Sequence, residues 1–233
     1  MKKIAIIPAR AGSKRIPGKN LKDFFGEPII SYAIRTALKS GLFDKVMVST
    51  DSEEIKKIAV ACGAEVPFMR SGKNSDDTAT TANVLEEVLL KYKESGIVFG
   101  SACCIYPTSV LITPEKLKEG SNVLNEGHFD SVVSVVKYGH PIQRGFRATK
   151  NKMEMLWPEN RTKRSQDLET VYHDAGQFYF FKVEEFLQKK QLFTENTGFV
   201  LLSEYEAQDI DNPDDWKMAE IKFSYLNGTN RKA

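Results

Sequence analysis

The sequence predicts a three-layer α/β fold in which helices cover both faces of a doubly wound, mostly parallel sheet. One observation supports the fold class and another the number of domains. Short apolar runs of strand length alternate with amphipathic segments through most of the 233 residues, and this alternation is typical of a covered parallel sheet. The length suits one large domain, so we expect a single domain over residues 1–233.

The elements follow one another regularly in the first part of the chain. Apolar spacing predicts helices over 28–42, 52–66, 81–92 and 114–127. In the second of these, Ser52 is placed to cap the first turn, which also carries Glu53 and Glu54. Short apolar runs predict strands at 3–7, 44–50, 65–69, 101–107 and 130–138. Connections between parallel strands should be right-handed.

The pattern then stops over residues 139–174, which show no sustained helical period. A stretch of this length without regular elements is usually functional or disordered, and its aromatic residues argue against disorder. We therefore expect a protruding arm or β-ribbon that covers the site or packs on a second subunit as a dimerisation segment. The α/β pattern resumes with segments at 177–181, 183–190, 197–203 and 207–211 and a helix over 213–226.

Composition limits the classes of function. The chain has 33 basic and 31 acidic residues and a net charge of +2, which is a smaller excess than nucleic-acid-binding proteins usually carry. No apolar run approaches the roughly 20 residues that a membrane helix needs, and the N-terminal apolar run is too short for a signal peptide. The three cysteines are odd in number, which favours a reducing, cytoplasmic location over a disulfide framework.

The most distinctive segment is the loop "IIPARAGSKRIPGKN" at 6–20. It follows the first predicted strand, and ligands in open α/β sheets bind at the carboxyl ends of strands. Gly12 and Gly18 allow the backbone to approach a ligand closely, while Arg10, Lys14 and Lys19 can neutralise phosphate charge. Five residues separate the two glycines and Asn20 follows Lys19, so the loop fits neither the P-loop nor the G-x-G-x-x-G fingerprint.

With these residues in view, the chain resembles the CMP-sialic acid synthetase family, the cytidylyltransferases that activate nine-carbon ulosonic acids. The resemblance is carried by "IPARAGSKRIPGKN", "VSTDSEEI", "MRSGKNSDDTATT", "YPTSVLIT" and "QDIDNPDDW". The segments "HPIQRGF", "WPEN", "RSQDLE" and "YHDAGQFYFF" most resemble the branch that acts on pseudaminic acid. The resemblance implies a Rossmann-like fold of the nucleotide-diphospho-sugar transferase type and transfer of CMP from CTP to the anomeric hydroxyl of the sugar, with release of pyrophosphate.

The same resemblance suggests nucleotide-binding residues. Lys14 and Lys19 match catalytic residues at the triphosphate. The remaining matches to nucleotide-binding positions are Arg10, Ala11, Gly12, Ser13, Asn20, Arg70, Asp77, Thr78, Ala79 and Thr81. Asp77 or Thr78 can also serve as a helix N-cap, and the two roles are compatible.

Asp209 and Asp211 are the expected metal ligands and catalytic carboxylates. In an extended segment, alternate side chains point the same way, and two converging carboxylates suit a hard divalent cation. With the family pattern, this predicts a Mg²⁺ site at the phosphates of CTP.

The acidic sugar requires a cation for its carboxylate, and Arg164 is the first candidate, followed by Arg144. The other predicted substrate contacts are Tyr106, Gln143, His173, Asp174 and Gln177. His173 is also compatible with a purely structural hydrogen bond. The expected partners are CTP, the nine-carbon sugar and a second copy in a homodimer, with no nucleic acid and no membrane.

Three alternatives differ from this function to different degrees. The same reaction on N-acetylneuraminic or legionaminic acid differs only in the sugar. A nucleotide-binding regulatory module without catalysis is disfavoured by the intact pairs Lys14/Lys19 and Asp209/Asp211. A P-loop kinase or ATPase is disfavoured by the spacing of the loop.

Overall fold

The computed structural model describes residues 1–76 and 78–228. Its centre is a six-stranded sheet with the order β10-β6-β9-β5-β1-β4. Two small antiparallel pairs lie apart from this sheet. The strands are β1 (Lys3–Pro8), β2 (Asp23–Phe24), β3 (Glu27–Pro28), β4 (Lys45–Ser49), β5 (Ser101–Ile105), β6 (Ser131–Lys137), β7 (Phe146–Thr149), β8 (Lys152–Met155), β9 (Tyr172–Lys182) and β10 (Thr197–Leu202).

Six α-helices connect the strands within the described ranges. They are α1 (Ile30–Ser40), α2 (Glu53–Ala61), α3 (Thr81–Glu94), α4 (Pro114–Glu126), α5 (Val183–Lys189) and α6 (Pro213–Asn227). The helix α2 begins at the predicted cap, because Ser52 Oγ accepts a hydrogen bond from the Ile55 amide. None of the helices in these ranges combines the length and apolar character needed to cross a bilayer.

The sheet is mostly parallel, as the sequence predicts. The strand β1 pairs in parallel with β4 and β5, and β10 pairs in parallel with β6. The exception is β9, which lies antiparallel between β5 and β6. Its pairing with β6 has a register irregularity between Val133 and Val135 of β6. The predicted α/β fold class is therefore confirmed, with one antiparallel strand inserted into the sheet.

Alternating side chains of the strands form two cores, one on each face of the sheet. On β1, Ala5 and Ile7 pack on the side covered by α1, α2 and α4. Ile4 and Ile6 pack on the side covered by α3 and α5. This period-two alternation with both faces buried produces the three layers.

Two of the predicted strands differ from those in the structure. Residues 65–69 form no strand and contribute only a bridge between Glu65 and Met47, and Pro67 has no amide hydrogen with which to extend a ladder. The predicted strand at 177–181 begins earlier, at Tyr172, so the last residues assigned to the arm belong to the sheet. Within the predicted arm, β7 and β8 form an exposed two-stranded ribbon apart from the main sheet.

Candidate active site

The loop after β1 lies at the carboxyl end of the sheet and borders a cavity of about 480 Å³. Basic side chains line one side of this nucleotide-sized cavity, and two acidic side chains line another. The residues around it are Pro8, Arg10, Ser13, Lys14, Arg15, Lys19, Asn20, Tyr106, Pro107, Thr108, Asp209 and Asp211. A polar cavity with converging cations at a strand end is suited to a phosphorylated ligand.

Hydrogen bonds within the loop and to two other segments hold its conformation. The Ala11 amide donates to Asp51 Oδ1 at 2.9 Å, and Asn20 Nδ2 donates to the Arg10 carbonyl at 2.9 Å. Arg10 Nη1 donates to the Asp76 carbonyl at 3.0 Å. Gly18, where the loop turns into a short 3₁₀ helix, has a φ of +63° that favours glycine. The loop conformation is thus fixed by the protein itself.

A small third core joins the loop to the aspartate pair. Ile16 of the loop and Ile210, which lies between the two aspartates, pack with Trp216 of α6. Lys19 adds a polar link, because its Nζ donates to the Ile210 carbonyl at 2.6 Å and lies 3.7 Å from Asp211 Oδ1. These contacts bring two segments that are distant in sequence to the same cavity.

Asp209 and Asp211 lie in a segment without regular strand pairing. Ile210 is fully buried between them, and both carboxylates border the cavity, so the two side chains share a side as the spacing predicts. Partial burial raises the pKa of Asp209, and the nearby charge of Asp211 raises it further. Two carboxylates in this arrangement favour a neighbouring cation.

A hard divalent cation fits this donor chemistry, since oxygen ligands from carboxylates are what Mg²⁺ prefers. Among residues 1–76 and 78–228, no group of three or more His, Cys, Asp or Glu side chains forms a metal cluster. A cation at Asp209 and Asp211 would therefore take further ligands from water and phosphate, as is usual for Mg²⁺.

Arg70 does not line the nucleotide-sized cavity. Its guanidinium is buried at the end of β4, where Nε donates to Ser49 Oγ at 3.1 Å and Nη2 donates to the Ser49 carbonyl. Burial lowers the pKa of Arg70, while the charges of Asp51 and Glu87 act in the opposite direction.

The segment before α3 forms a tight turn around Asp76. Its Oδ1 accepts hydrogen bonds from the amides of Thr78 and Ala79. The cap of α3 is Thr80, so Thr78 is not the N-cap. Thr81 Oγ1 lies 3.2 Å from Tyr106 Oη at the edge of the nucleotide-sized cavity. Asp77 lies outside the described residues.

A second cavity, of about 680 Å³, adjoins the first. The two cavities share Arg15, Asp209 and Asp211. The other lining residues are Val136, Lys137, Tyr138, Gly139, His173, Asp174, Ala175, Glu204, Ala207, Gln208, Asn212, Asp215 and Lys222. The aspartate pair therefore stands between two spaces, each large enough for a small molecule.

Hydrogen bonds within β9 hold the residues of this strand that border the larger cavity. Tyr179 Oη donates to Asp174 Oδ2 at 2.7 Å, and the Gly176 amide donates to Asp174 Oδ1 at 2.9 Å. His173 Nδ1 lies 2.8 Å from the Asp174 carbonyl, and its ring lies 4.9 Å from that of Tyr138. His173 and Asp174 thus border the cavity in fixed orientations.

Gln177 is buried and acts as a structural link. Its Nε2 donates to the carbonyls of Ala175, Gly176 and Gln208 at 2.9, 3.2 and 3.2 Å. This connects β9 to the segment that carries the aspartates. Gln177 borders neither of the two cavities.

The predicted sugar contacts of the arm lie elsewhere. Arg164 is exposed and forms an ion pair with Asp167 at 2.8 Å, which raises the pKa of Arg164. Arg144 Nη1 donates to Ser165 Oγ at 3.3 Å, and Gln143 Nε2 donates to the Glu169 carbonyl at 3.0 Å. None of these three side chains borders either cavity of this chain.

Sequence reasoning missed several residues of the site. Arg15, which had no assigned role, donates to Asp211 Oδ2 at 2.9 Å. Lys137, Tyr138 and Lys222 line the larger cavity but come from segments that were assigned only to a strand or a helix. The position of Lys137 at the carboxyl end of a predicted strand was the one available signal.

The chain is similar to known proteins in sequence and in fold. A family model described as cytidylyltransferase matches residues 4–213. A pseudaminic acid cytidylyltransferase of Campylobacter jejuni subsp. jejuni serotype O:2 is 37% identical over 224 residues, covering 96% of this chain and 97% of that protein. A CMP-N,N'-diacetyllegionaminic acid synthase of Legionella pneumophila is 34% identical over 237 residues, covering 97% of this chain and 98% of that protein.

Among solved structures, a CMP:2-keto-3-deoxy-manno-octonic acid synthetase complexed with CTP superposes with a TM-score of 0.72. It is 16% identical and covers 97% of this chain and 100% of that chain. This likeness supports the fold.

Proposed function

The chain belongs to the cytidylyltransferase family, and we propose that it transfers CMP from CTP to a nine-carbon ulosonic acid with release of pyrophosphate. The acceptor we propose is pseudaminic acid, because a protein named for that activity is 37% identical over nearly the whole chain. A second acceptor, legionaminic acid, has support from the 34% identical synthase for its diacetyl form. N-acetylneuraminic acid is also a candidate, since an N-acylneuraminate cytidylyltransferase of Danio rerio is 35% identical over 229 residues.

The observation that carries this proposal is the contact between two cavities at one pair of aspartates. The cavity beside the basic loop suits a nucleoside triphosphate, and the adjoining one suits a second substrate. A transfer reaction requires the attacking oxygen and the phosphorus to meet. Among residues 1–76 and 78–228, the two cavities share the lining residues Arg15, Asp209 and Asp211. We therefore propose this boundary as the site of transfer.

In the reaction, the anomeric oxygen of the sugar forms a bond to the α-phosphorus of CTP, the bond to the β-phosphate oxygen breaks, and the hydroxyl proton is released. Both substrates are anions, so the main task of the protein is to neutralise charge and position the reacting groups. Arg10, Lys14 and Lys19 supply three positive charges at the smaller cavity. Because the loop is held by Asp51 and Asn20, these charges need little reorganisation when CTP binds.

Asp209 and Asp211 are the residues that would hold Mg²⁺. Such a cation supplies neutralisation of phosphate charge and activation of the attacking hydroxyl. Lys19 orients this pair through its bond to the Ile210 carbonyl. The raised pKa of Asp209, caused by burial and by Asp211, reflects the like charges that a cation would balance.

We propose that the sugar binds in the larger cavity, beside His173 and Asp174. Both side chains border this cavity and are held in place by hydrogen bonds. Arg164 and Arg144 lie outside it, so a role for them in binding the sugar carboxylate requires the arm of one protomer to reach the site of another.

A homodimer is consistent with the surface of the arm. Phe146 and Met153 of the ribbon are 57% and 65% exposed, and Phe199 on the edge strand β10 is 53% exposed. A homodimer would cover exposed apolar side chains of this kind. We also propose a reducing, cytoplasmic location, which the three free cysteines support.

Pyrophosphate release tests the function directly. The purified protein is incubated with CTP, Mg²⁺ and each of the three nine-carbon sugars. We expect release to be fastest with pseudaminic acid. CTP binding without release for any sugar would favour the regulatory module, whereas formation of CDP would indicate kinase chemistry.

Mixed dimers test the role of the arm. Arg164→Ala should weaken sugar binding more than CTP binding, while equal losses would place Arg164 at the triphosphate. Co-refolding Arg164→Ala with Asp211→Asn should restore activity if each arm completes its partner's site, because a mixed dimer then contains one intact site. Absence of restored activity in a dimer verified by ultracentrifugation would contradict the shared site.

A further inference from the structure

Arg15 lies at the boundary between the two cavities, where it contacts Asp211. Its Nη1 lies 2.9 Å from Asp211 Oδ2, and Lys19 Nζ lies 3.7 Å from Asp211 Oδ1. Both oxygens of this carboxylate therefore face a positive side chain. A divalent cation that approaches Asp211 meets two charges of its own sign.

The two basic side chains differ in their freedom to move away. Lys19 is 21% exposed and is anchored at 2.6 Å to the Ile210 carbonyl. Arg15 is 70% exposed, and its Nη1 donates to Asp211 Oδ2 at the surface of the site. An exposed ion pair of this kind is weak and easily exchanged, so Arg15 is the side chain that yields.

We propose that Arg15 is a displaceable counter-ion, which competes with the divalent cation for Asp211 and lowers the affinity of the site for free cations. The inference rests on the proposed function, because it takes Asp211 as a cation ligand. When the cation displaces it, the guanidinium of Arg15 would move toward the smaller cavity. Arg15 borders the cavity beside the basic loop, where triphosphate oxygens offer it another anionic partner.

The consequence is that cation and nucleotide bind together more readily than the cation binds alone. Without a triphosphate, a cation at Asp211 must displace Arg15 into solvent. With a triphosphate in the cavity, the same displacement gives Arg15 a new ion pair. Arg15 would thus discourage binding of cations that arrive without the substrate.

Mn²⁺ serves as the probe, because unbound Mn²⁺ is measured directly by electron paramagnetic resonance. The titration uses the full-length protein without nucleotide, as wild type, Arg15→Gln, Asp211→Asn and Lys217→Gln. Lys217 is the matched control, because it is 73% exposed and pairs with Asp214 nearby in the chain. Its substitution removes the same charge without touching Asp211.

We expect Arg15→Gln to bind Mn²⁺ about tenfold more tightly than wild type, as removal of one exposed ion pair and one repelling charge implies. Lys217→Gln should stay within about twofold of wild type. A gain in affinity cannot result from misfolding. Affinity of Arg15→Gln equal to or below that of wild type, or no binding by either protein, overturns the inference.

Asp211→Asn separates this failure from failure of the metal assignment. If Mn²⁺ binding is unchanged in Asp211→Asn, the cation does not bind at Asp211, and the proposed metal site is wrong. If Asp211→Asn loses binding while Arg15→Gln matches wild type, the metal site stands and only the role of Arg15 is refuted.

Discussion

Glu87 of α3 anchors the segment that supports the basic loop. Its carboxylate accepts hydrogen bonds from the Ser71 amide and hydroxyl, both at 2.8 Å, and from Asn74 Nδ2. It also pairs with Lys91 Nζ at 2.6 Å. The segment leads to Asp76, whose carbonyl holds Arg10. Substituting Glu87 by Gln removes the charge while keeping the size of the side chain.

The magnitude follows from the protonation equilibrium. Despite the cost of burial, these contacts lower the pKa of Glu87 from 4.5 to about 2. At ~1.36 kcal/mol for each pKa unit, this difference sets an upper limit of about 3 kcal/mol on the stabilisation. Solvent at the edge of the site screens part of it, so we expect Glu87→Gln to lower the free energy of unfolding by about 2 kcal/mol at pH 7.

The pH dependence has a definite sign. Because the folded-state pKa is lowered, the stabilisation is complete above the unfolded value of 4.5 and is lost as the pH falls toward 2. Urea unfolding at pH 7 and pH 3.5 measures it, and the gap between wild type and Glu87→Gln should shrink by roughly 40%.

Glu86 provides the matched control, since it lies next to Glu87 on α3 and forms an ordinary ion pair with Lys190 at 2.8 Å. Glu86→Gln should cost below about 1 kcal/mol. The reasoning is refuted if Glu87→Gln costs no more than Glu86→Gln, or if its cost is the same at both pH values.

Three further predictions concern the site itself. Asp211→Asn should lower kcat by about 100-fold or more while leaving CTP binding measured without divalent cations nearly unchanged; near-normal turnover would remove the metal assignment. Gly176→Ala should destabilise the fold by about 1 kcal/mol in urea unfolding. Gly176 has a φ of +63°, which disfavours alanine, whereas the added Cβ would contact Asp209 at an ordinary distance of 3.6 Å. An unchanged free energy of unfolding would show that the backbone strain is relieved. Tyr106→Phe deletes the hydrogen bond to Thr81 and should cost about 1 kcal/mol, measured by thermal unfolding, and no loss would mean that the bond is unimportant.

The layered fold was predictable because it depends on local patterns. The helical spacing of Ile30, Ala33 and Ile34 and the alternation along β1 are written in neighbouring residues, and both appear in the structure. The strand predicted at 65–69 is wrong, because an apolar run has the pattern of a strand whether or not a neighbouring strand pairs with it. The antiparallel insertion of β9 depends on pairing with distant strands, which periodicity does not encode.

The candidate site was predictable where its chemical groups are concentrated in short motifs. The loop cations and the pair Asp209 and Asp211 meet at one cavity, although they are distant in the sequence. Arg15 could not be assigned, since its role depends on a contact across 196 positions of the chain. Gln177 illustrates the opposite case, because a polar residue in a functional motif turned out to be a buried structural link.

The arm leaves and re-enters the sheet at one place. Lys137 at the end of β6 pairs with Tyr172 at the start of β9, and the Tyr138 amide donates to the Val171 carbonyl at 3.0 Å. Because the sheet already holds the two ends together, lengthening the intervening chain changes the closure entropy only slightly, by about 0.6 kcal/mol for each doubling. The arm can therefore be exchanged or resized during evolution while the central sheet stays intact.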